Sequence, residues 1–306
     1  MAFQHLLGGV AVAATMLVMG AAAAADAPKT SKTFSSVVEG TEAPAVVIFI
    51  PGLSAPGEVW DGAVAHLKGR AQTHVLTLAG AANQAAWQSD ASHDSFTRTV
   101  EDQLADYIRV KGLVRPMIVG HSIGANIALE FAERYPDLVG KLVLVDALPF
   151  QARVWFNIDS VTLAKPLATA TRLSIKYQSR ARYEKFIRGP STRSQVASDA
   201  DFEKVVRWGL AADQSAVADT MYEVLTTDLR PQLGAFAAPT LVVETWAGTE
   251  GATRDQIEQE FHAQYAGLRR VKFAMSETGH HFVMLDEPDW FNRQIDQSLS
   301  DDTAAR

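Results

Sequence analysis

The string Gly120-His121-Ser122-Ile123-Gly124 sets a hydroxyl between glycines two positions before and two after it. That spacing suits a tight strand-to-helix turn, in which the flanking positions crowd each other and only small residues fit. The surroundings agree. The apolar run Met117–Val119 comes directly before, and Ile127, Ala128, Phe131, Ala132 and Tyr135 follow at helical spacing until Pro136. Such a turn holds the serine backbone in an unfavourable region and lifts its hydroxyl above the strand end. The helix that begins behind it presents free N–H groups where negative charge would develop. The chemistry this points to is nucleophilic attack by Ser122. Other chemistries are poorly served. There is no cysteine, so thiolate nucleophiles, disulfides and thiolate zinc sites are excluded. His66, His74, His93 and His262 are isolated, His280 and His281 are adjacent, and no H-x-x-x-H occurs. No metal and no cofactor are therefore expected, and His121 is expected to pack or to line a wall.

The elements that must position Ser122 read as an alternation of strands and helices. Ala45–Ile50, His74–Leu78, Met117–Val119, Leu142–Val145, Leu241–Val243 and Val271–Met275 are short apolar runs, with an edge strand near Thr33–Val38. Continuous Val/Ile/Leu runs suit strands covered on both faces, as in a parallel sheet. Val100, Leu104, Tyr107 and Ile108 recur as one helical stripe before Gly112, and Phe291, Ile295 and Leu299 as another, opened by Pro288. The alternation predicts an α/β fold with a doubly wound, mostly parallel sheet. It breaks between Pro149 and Pro239, a stretch too long for a plain loop. Residues 149–232 are expected to form a helical cap inserted into a core of residues 26–148 and 233–306.

Bulk properties narrow the class. The chain has 306 residues, is 47% hydrophobic and 21% charged, and carries a net charge of −7 with both signs dispersed. No basic face for nucleic acid is visible. Leu6–Met19 is an uncharged apolar run followed by small residues up to Ala25, which reads as a signal peptide over residues 1–25 with cleavage after Ala23–Ala25. An exported protein, periplasmic or secreted, with no stable membrane anchor after cleavage is the expectation; an uncleaved single anchor is the alternative.

From about Ala45 to Leu299 the chain resembles the α/β-hydrolase superfamily, and within it the capped branch of esterases, cofactor-free haloperoxidase-like hydrolases and carbon–carbon bond hydrolases. The resemblance implies roles for further residues. Ile50-Pro51-Gly52-Leu53 occupies the place where the family usually has His-Gly, so the Leu53 and Ile123 N–H groups would form the oxyanion hole, with Pro51 a departure from the family pattern. Gly279-His280-His281-Phe282-Val283-Met284-Leu285-Asp286 matches the loop of the family's base. Alignment on Phe282 and Met284, which covers more residues, selects His281 as the base; alignment on Gly279 gives His280 as the alternative. For the acid, the resemblance points to Asp146, at the end of the strand after the elbow helix, with Glu250, or Glu244, in the stretch after Leu241–Val243 as the alternative. The reaction implied is ester or similar acyl cleavage through an acyl-enzyme. Trp155, Phe156, Tyr177, Tyr183, Phe186, Trp208 and Tyr222 suggest a cap roofing a pocket for a small-molecule substrate with an apolar part. Carbon–carbon bond hydrolysis or perhydrolysis by the same triad, and a non-catalytic binding protein on the same fold, are the alternatives. Ser122 at the nucleophile position argues against dehalogenases and most epoxide hydrolases of this fold, which need aspartate there.

Overall fold

The computed structural model describes residues 32–40, 43–89, 95–235, 237–249 and 251–300. The expected signal peptide, residues 1–25, lies outside the described residues. Seven strands form one sheet in the order β1-β3-β2-β4-β5-β6-β7. They are β1 Phe34–Glu39, β2 Ala45–Ile50, β3 Ala71–Leu78, β4 Met117–His121, β5 Lys141–Val145, β6 Thr240–Glu244 and β7 Val271–Met275. All neighbours run parallel except β1, which pairs antiparallel with β3 at the edge. Four strands, β3 to β6, are longer than their apolar runs indicate, β5 by one residue at its start and β6 by one at each end. Strand β3 starts at Ala71, and β4 continues through Gly120 and His121 to the doorstep of Ser122.

Twelve helices surround the sheet: α1 Asp61–Leu67, α2 Phe96–Lys111, α3 Ile123–Arg134, α4 Gln151–Phe156, α5 Val161–Tyr177, α6 Arg180–Ile187, α7 Pro190–Arg193, α8 Asp199–Ala211, α9 Gln214–Thr226, α10 Arg254–Gln264, α11 Val283–Asp286 and α12 Pro288–Ser300, counted among the described residues. The side-chain alternation of the strands divides the core in two. Ile48, Ile50, Ile118, Leu142 and Leu144 face α2 and α3. Val47, Phe49, Val119, Val143 and Val145 face α1 and α12 through Leu67, Phe291 and Ile295. Both faces are covered, so the central strands need apolar residues at every position, and β4 and β5 are buried throughout.

Helices α4 to α9 enter the chain between β5 and β6, which are adjacent in the sheet. The described residues form one compact unit. Several contacts fix the cap helices to the sheet-bearing part, three of them close to the site or to α2. Glu223 of α9 accepts hydrogen bonds from Phe96 N, Thr97 N, Thr97 Oγ1 and Ser95 Oγ, closing the N-terminus of α2. Trp208 Nε1 of α8 donates to Glu58 at 2.6 Å. Phe282 N donates to Gln195 O at 3.1 Å, so the loop carrying the histidine pair is pinned from the cap side.

Candidate active site

Ser122 stands between β4 and α3 with φ 53° and ψ −123°, a region rarely occupied by residues other than glycine. The fold holds it there by two means. Ser122 N donates to Val145 O at 2.9 Å, while Ala125 N and Asn126 N donate back to Ser122 O. The glycines explain themselves sterically. A Cβ on Gly120 would lie 2.3 Å from Gly124 O, and one on Gly124 would lie 2.3 Å from Ile50 O and 2.6 Å from Pro51 O. These are backbone atoms that cannot rotate away. The turn and the loop after β2 are therefore in close contact, and Gly52 is packed against the serine side chain, since its own Cβ would lie 3.2 Å from Ser122 Cβ.

The loop after β2 brings Leu53 beside Ser122, and Ile123 opens α3 behind it. Neither backbone N–H donates to another group among the described residues. Leu53, Ser122, Ile123, Asp146 and His281 all border one cavity of about 930 Å³. The hydroxyl of Ser122 makes no hydrogen bond among the described residues and opens on that cavity. Contacts of this kind are often long before substrate arrives.

His281 and Asp146 meet from distant parts of the chain. His281 Nδ1 is 2.5 Å from Asp146 Oδ2. Asp146 lies one residue past β5 with φ 45°, held by its own N–H to Val243 O of β6 at 2.8 Å. Its second oxygen, Oδ1, accepts from Thr245 N at 3.3 Å. The carboxylate is thus oriented by the first residue after β6, and one oxygen is left for the imidazole.

The other candidates go elsewhere. His280 faces away: its N–H and its Nδ1 both lie on Asp286 Oδ2, at 2.9 and 3.1 Å. Glu250 is outside the described residues. Glu244 is fully buried at the end of β6, and neither carboxylate oxygen has a hydrogen-bond partner. Loss of hydration, reinforced by the nearby charge of Glu258, pushes its carboxyl up to about 8. Glu258 and His262, four apart on α10, bring donor atoms within 4.8 Å of each other and of Glu244. That is the group among the described residues able to hold a cation. Histidine spacing alone does not reveal it, because two of its three members are carboxylates and one comes from a strand.

His121 is in closer contact with the site than the geometry of an elbow suggests. Its ring is fully buried, with centroid 4.5 Å from that of His281 and 4.8 Å from that of Phe282. Its Nε2–H donates to His281 O at 2.9 Å. Burial, and then the charge of His281, hold its pKa well below the usual histidine value, so the ring stays neutral. It fixes the backbone from which the His281 ring projects.

The cap aromatics divide. Trp155, Phe186 and Trp208 line the cavity. Tyr183 is buried within the cap, Phe156 and Tyr222 pack against its α4–α5–α9 core, and Tyr177 is exposed. Three of the seven cap aromatics thus face the cavity, and the rest belong to the cap's own packing or its surface: the cap is thick enough to need a core of its own.

A model of the alpha/beta hydrolase family matches residues 47–294. The chain belongs to that family. Similar members include an uncharacterized protein of Mycobacterium tuberculosis, 28% identical over 131 residues, or 42% of this chain and 37% of the relative. The chain thus matches well under half the length of that relative. A pimeloyl-[acyl-carrier protein] methyl ester esterase of Nitrosomonas europaea is 25% identical over 208 residues, covering 64% of this chain and 75% of that one. Among solved structures, a thermophilic esterase from Thermogutta terrifontis superposes with a TM-score of 0.70 at 19% identity, over 88% of this hydrolase and 96% of the other. The alpha/beta hydrolase fold of the chain accounts for where its polar groups gather, at the carboxyl ends of β4, β5 and the segment after β7.

Proposed function

We propose that this hydrolase cleaves a carboxylic ester of a small molecule through an acyl-enzyme formed on Ser122. The observation carrying the reading is the Asp146–His281 contact of 2.5 Å at the border of the cavity on which Ser122 opens. With its Nδ1–H directed at Asp146, the His281 ring keeps Nε2 as the acceptor nitrogen. In the first step Ser122 Oγ attacks the carbonyl carbon while its proton passes to His281 Nε2. The carbonyl oxygen takes the negative charge and is held by the N–H groups of Leu53 and Ile123, each worth about 3 kcal/mol of barrier. Collapse expels the alcohol, which leaves with the proton from His281. Water then repeats the sequence on the acyl group and frees the acid.

The cavity wall supports an apolar acyl or alcohol part. Leu148, Val154, Trp155, Phe186, Val217 and Met221 line it, as do Trp208 and Phe282, whose rings pack together, with Phe282 against His281. The names carried by the Nitrosomonas and Thermogutta proteins agree with ester chemistry. The uncharged run Leu6–Met19 with Ala23–Ala25 behind it supports an exported, periplasmic or secreted protein.

A series of p-nitrophenyl esters of increasing chain length, offered to the wild type and to Ser122→Ala, tests the reading. Hydrolysis that favours medium or long chains and vanishes in the variant is expected. A wild type inert to every member, or a Ser122→Ala variant as active as the wild type, contradicts it.

A further inference from the structure

Helix α5 has a face that the fold leaves open. Leu163, Leu167, Ala170, Ser174 and Tyr177 stand at i, i+4, i+7, i+11 and i+14, a single stripe at 3.6 residues per turn. All five are exposed, Leu163 by 64% and Tyr177 by 75%, and Leu173 beside the stripe by 48%. The opposite side, through Ala164, Ala168 and Ile175, is buried. Single exposed leucines are ordinary; an aligned row on one helix is not.

Two further observations say what the row faces. The stripe runs along the cavity: Ala170 and Ser174 belong to its wall, as do the half-exposed Trp155 and Phe186. Apolar side chains therefore continue from the cavity out onto the surface. The charge is equally distinctive. Between residues 161 and 193 there are eight Lys and Arg and a single acid, Glu184, in a chain whose net charge is −7. Asp219 pairs with Arg172 and Lys176, and Glu203 with Arg188. Lys165, Arg182 and Lys185 have no carboxylate partner among the described residues, and Arg182 and Lys185 flank Phe186 on α6.

From this combination we infer that the α5–α6 surface of the cap docks on an anionic lipid bilayer, with the cavity mouth turned toward the lipid. An apolar stripe sinks to the level of the acyl chains while neighbouring cations meet lipid phosphates, which is the physics of interfacial helices. No helix among the described residues is long and apolar enough to cross a membrane. Docking needs no catalysis. Its consequence, that the ester is taken from the bilayer, rests on the hydrolytic reading above.

The test is sedimentation of the protein, carrying Ser122→Ala to prevent turnover, with vesicles of phosphatidylcholine alone or mixed equally with phosphatidylglycerol. Binding about tenfold or more tighter to the anionic vesicles, weakened by salt, is expected. Leu163→Ser/Leu167→Ser/Tyr177→Ser should lower that binding about tenfold or more, while the same changes in the active chain leave its melting temperature and its turnover of soluble p-nitrophenyl acetate unchanged. Should the triple variant fold poorly, Leu163→Ser alone and Arg182→Glu/Lys185→Glu each read the same loss. Equal binding to both vesicle types, or full binding by the variants, overturns the inference. So does a wild-type dimer that the triple variant dissociates, which would assign the stripe to a second copy of the chain. Vesicle binding as expected, together with no hydrolysis of any ester, would leave the docking standing and remove the esterase reading.

Discussion

Replacing Asp146 by asparagine keeps the shape of the site and inverts its hydrogen bonding. Asp146 Oδ1 accepts from Thr245 N and Oδ2 faces His281 Nδ1. An asparagine amide has one oxygen, and the Thr245 N–H can use nothing else, so the NH₂ group turns to the imidazole. His281 must then present a lone pair at Nδ1 and carry its proton on Nε2, where it cannot accept from Ser122. The expected cost is the loss of the general base, on the order of 10⁴ in kcat, or roughly 5.5 kcal/mol of barrier at about 1.36 kcal/mol per tenfold. Folding should survive, since asparagine tolerates the φ of 45° at this position. The assay is steady-state hydrolysis of a p-nitrophenyl ester, with kcat and KM resolved and circular dichroism as the control for folding. Retention of more than about a tenth of wild-type kcat would refute the reasoning. So would an equal loss in Glu244→Gln or Glu250→Gln with Asp146→Asn unaffected, which would move the acid to the segment after β6.

Gly124→Ala should abolish soluble, active protein, because the new Cβ meets the carbonyl oxygens of Ile50 and Pro51 at 2.3 and 2.6 Å; Gly62→Ala, with nothing within 4 Å, should raise the melting temperature slightly. Glu223→Ala strips four donors at the start of α2 of their acceptor and should destabilise the protein by about 2–4 kcal/mol in urea titration, with no loss for the exposed Glu184→Ala. Glu244 has a folded pKa of about 8, raised from 4.5, so its burial costs nothing below about pH 4.5, where it is protonated in both states. Stability is then lost as pH rises toward 8, at up to about 1.4 kcal/mol per unit. Glu244→Gln should therefore match the wild type at pH 4.5 and exceed it at pH 8 in chemical denaturation; an unchanged difference between the two would contradict a neutral buried carboxyl.

What could be read from the residues depended on how local its cause was. The central strands were legible because burial on both faces demands an unbroken run such as Ala45–Ile50, and the serine turn because two glycines at fixed offsets have a steric reason. Strand β3 was only half legible: Gln72 and Thr73 do not look like strand core, yet β2 pairs with both of them and β1 with Thr73, which extends the element. The sequence favoured Asp146 as the acid without fixing it, since Asp146, Glu244 and Glu250 all lie at or just past strand ends. The choice lies in which strand end faces the loop after β7, a property of sheet order. The same holds for His121 and Glu223. Their partners are 160 and about 127 residues away, and no spacing rule connects them. In the cap, aromatic content announced a pocket wall, but only tertiary packing separates Trp155, Phe186 and Trp208 from Tyr183, Phe156 and Tyr222.

The most direct measurement on the central claim is covalent labelling by a fluorophosphonate, followed by intact mass and peptide mapping. The account predicts one adduct on Ser122, formed by the wild type and by His280→Ala, and lost or slowed by on the order of 10³ or more in His281→Ala. Labelling of another residue, or a His281→Ala chain that reacts as fast as the wild type, would contradict it.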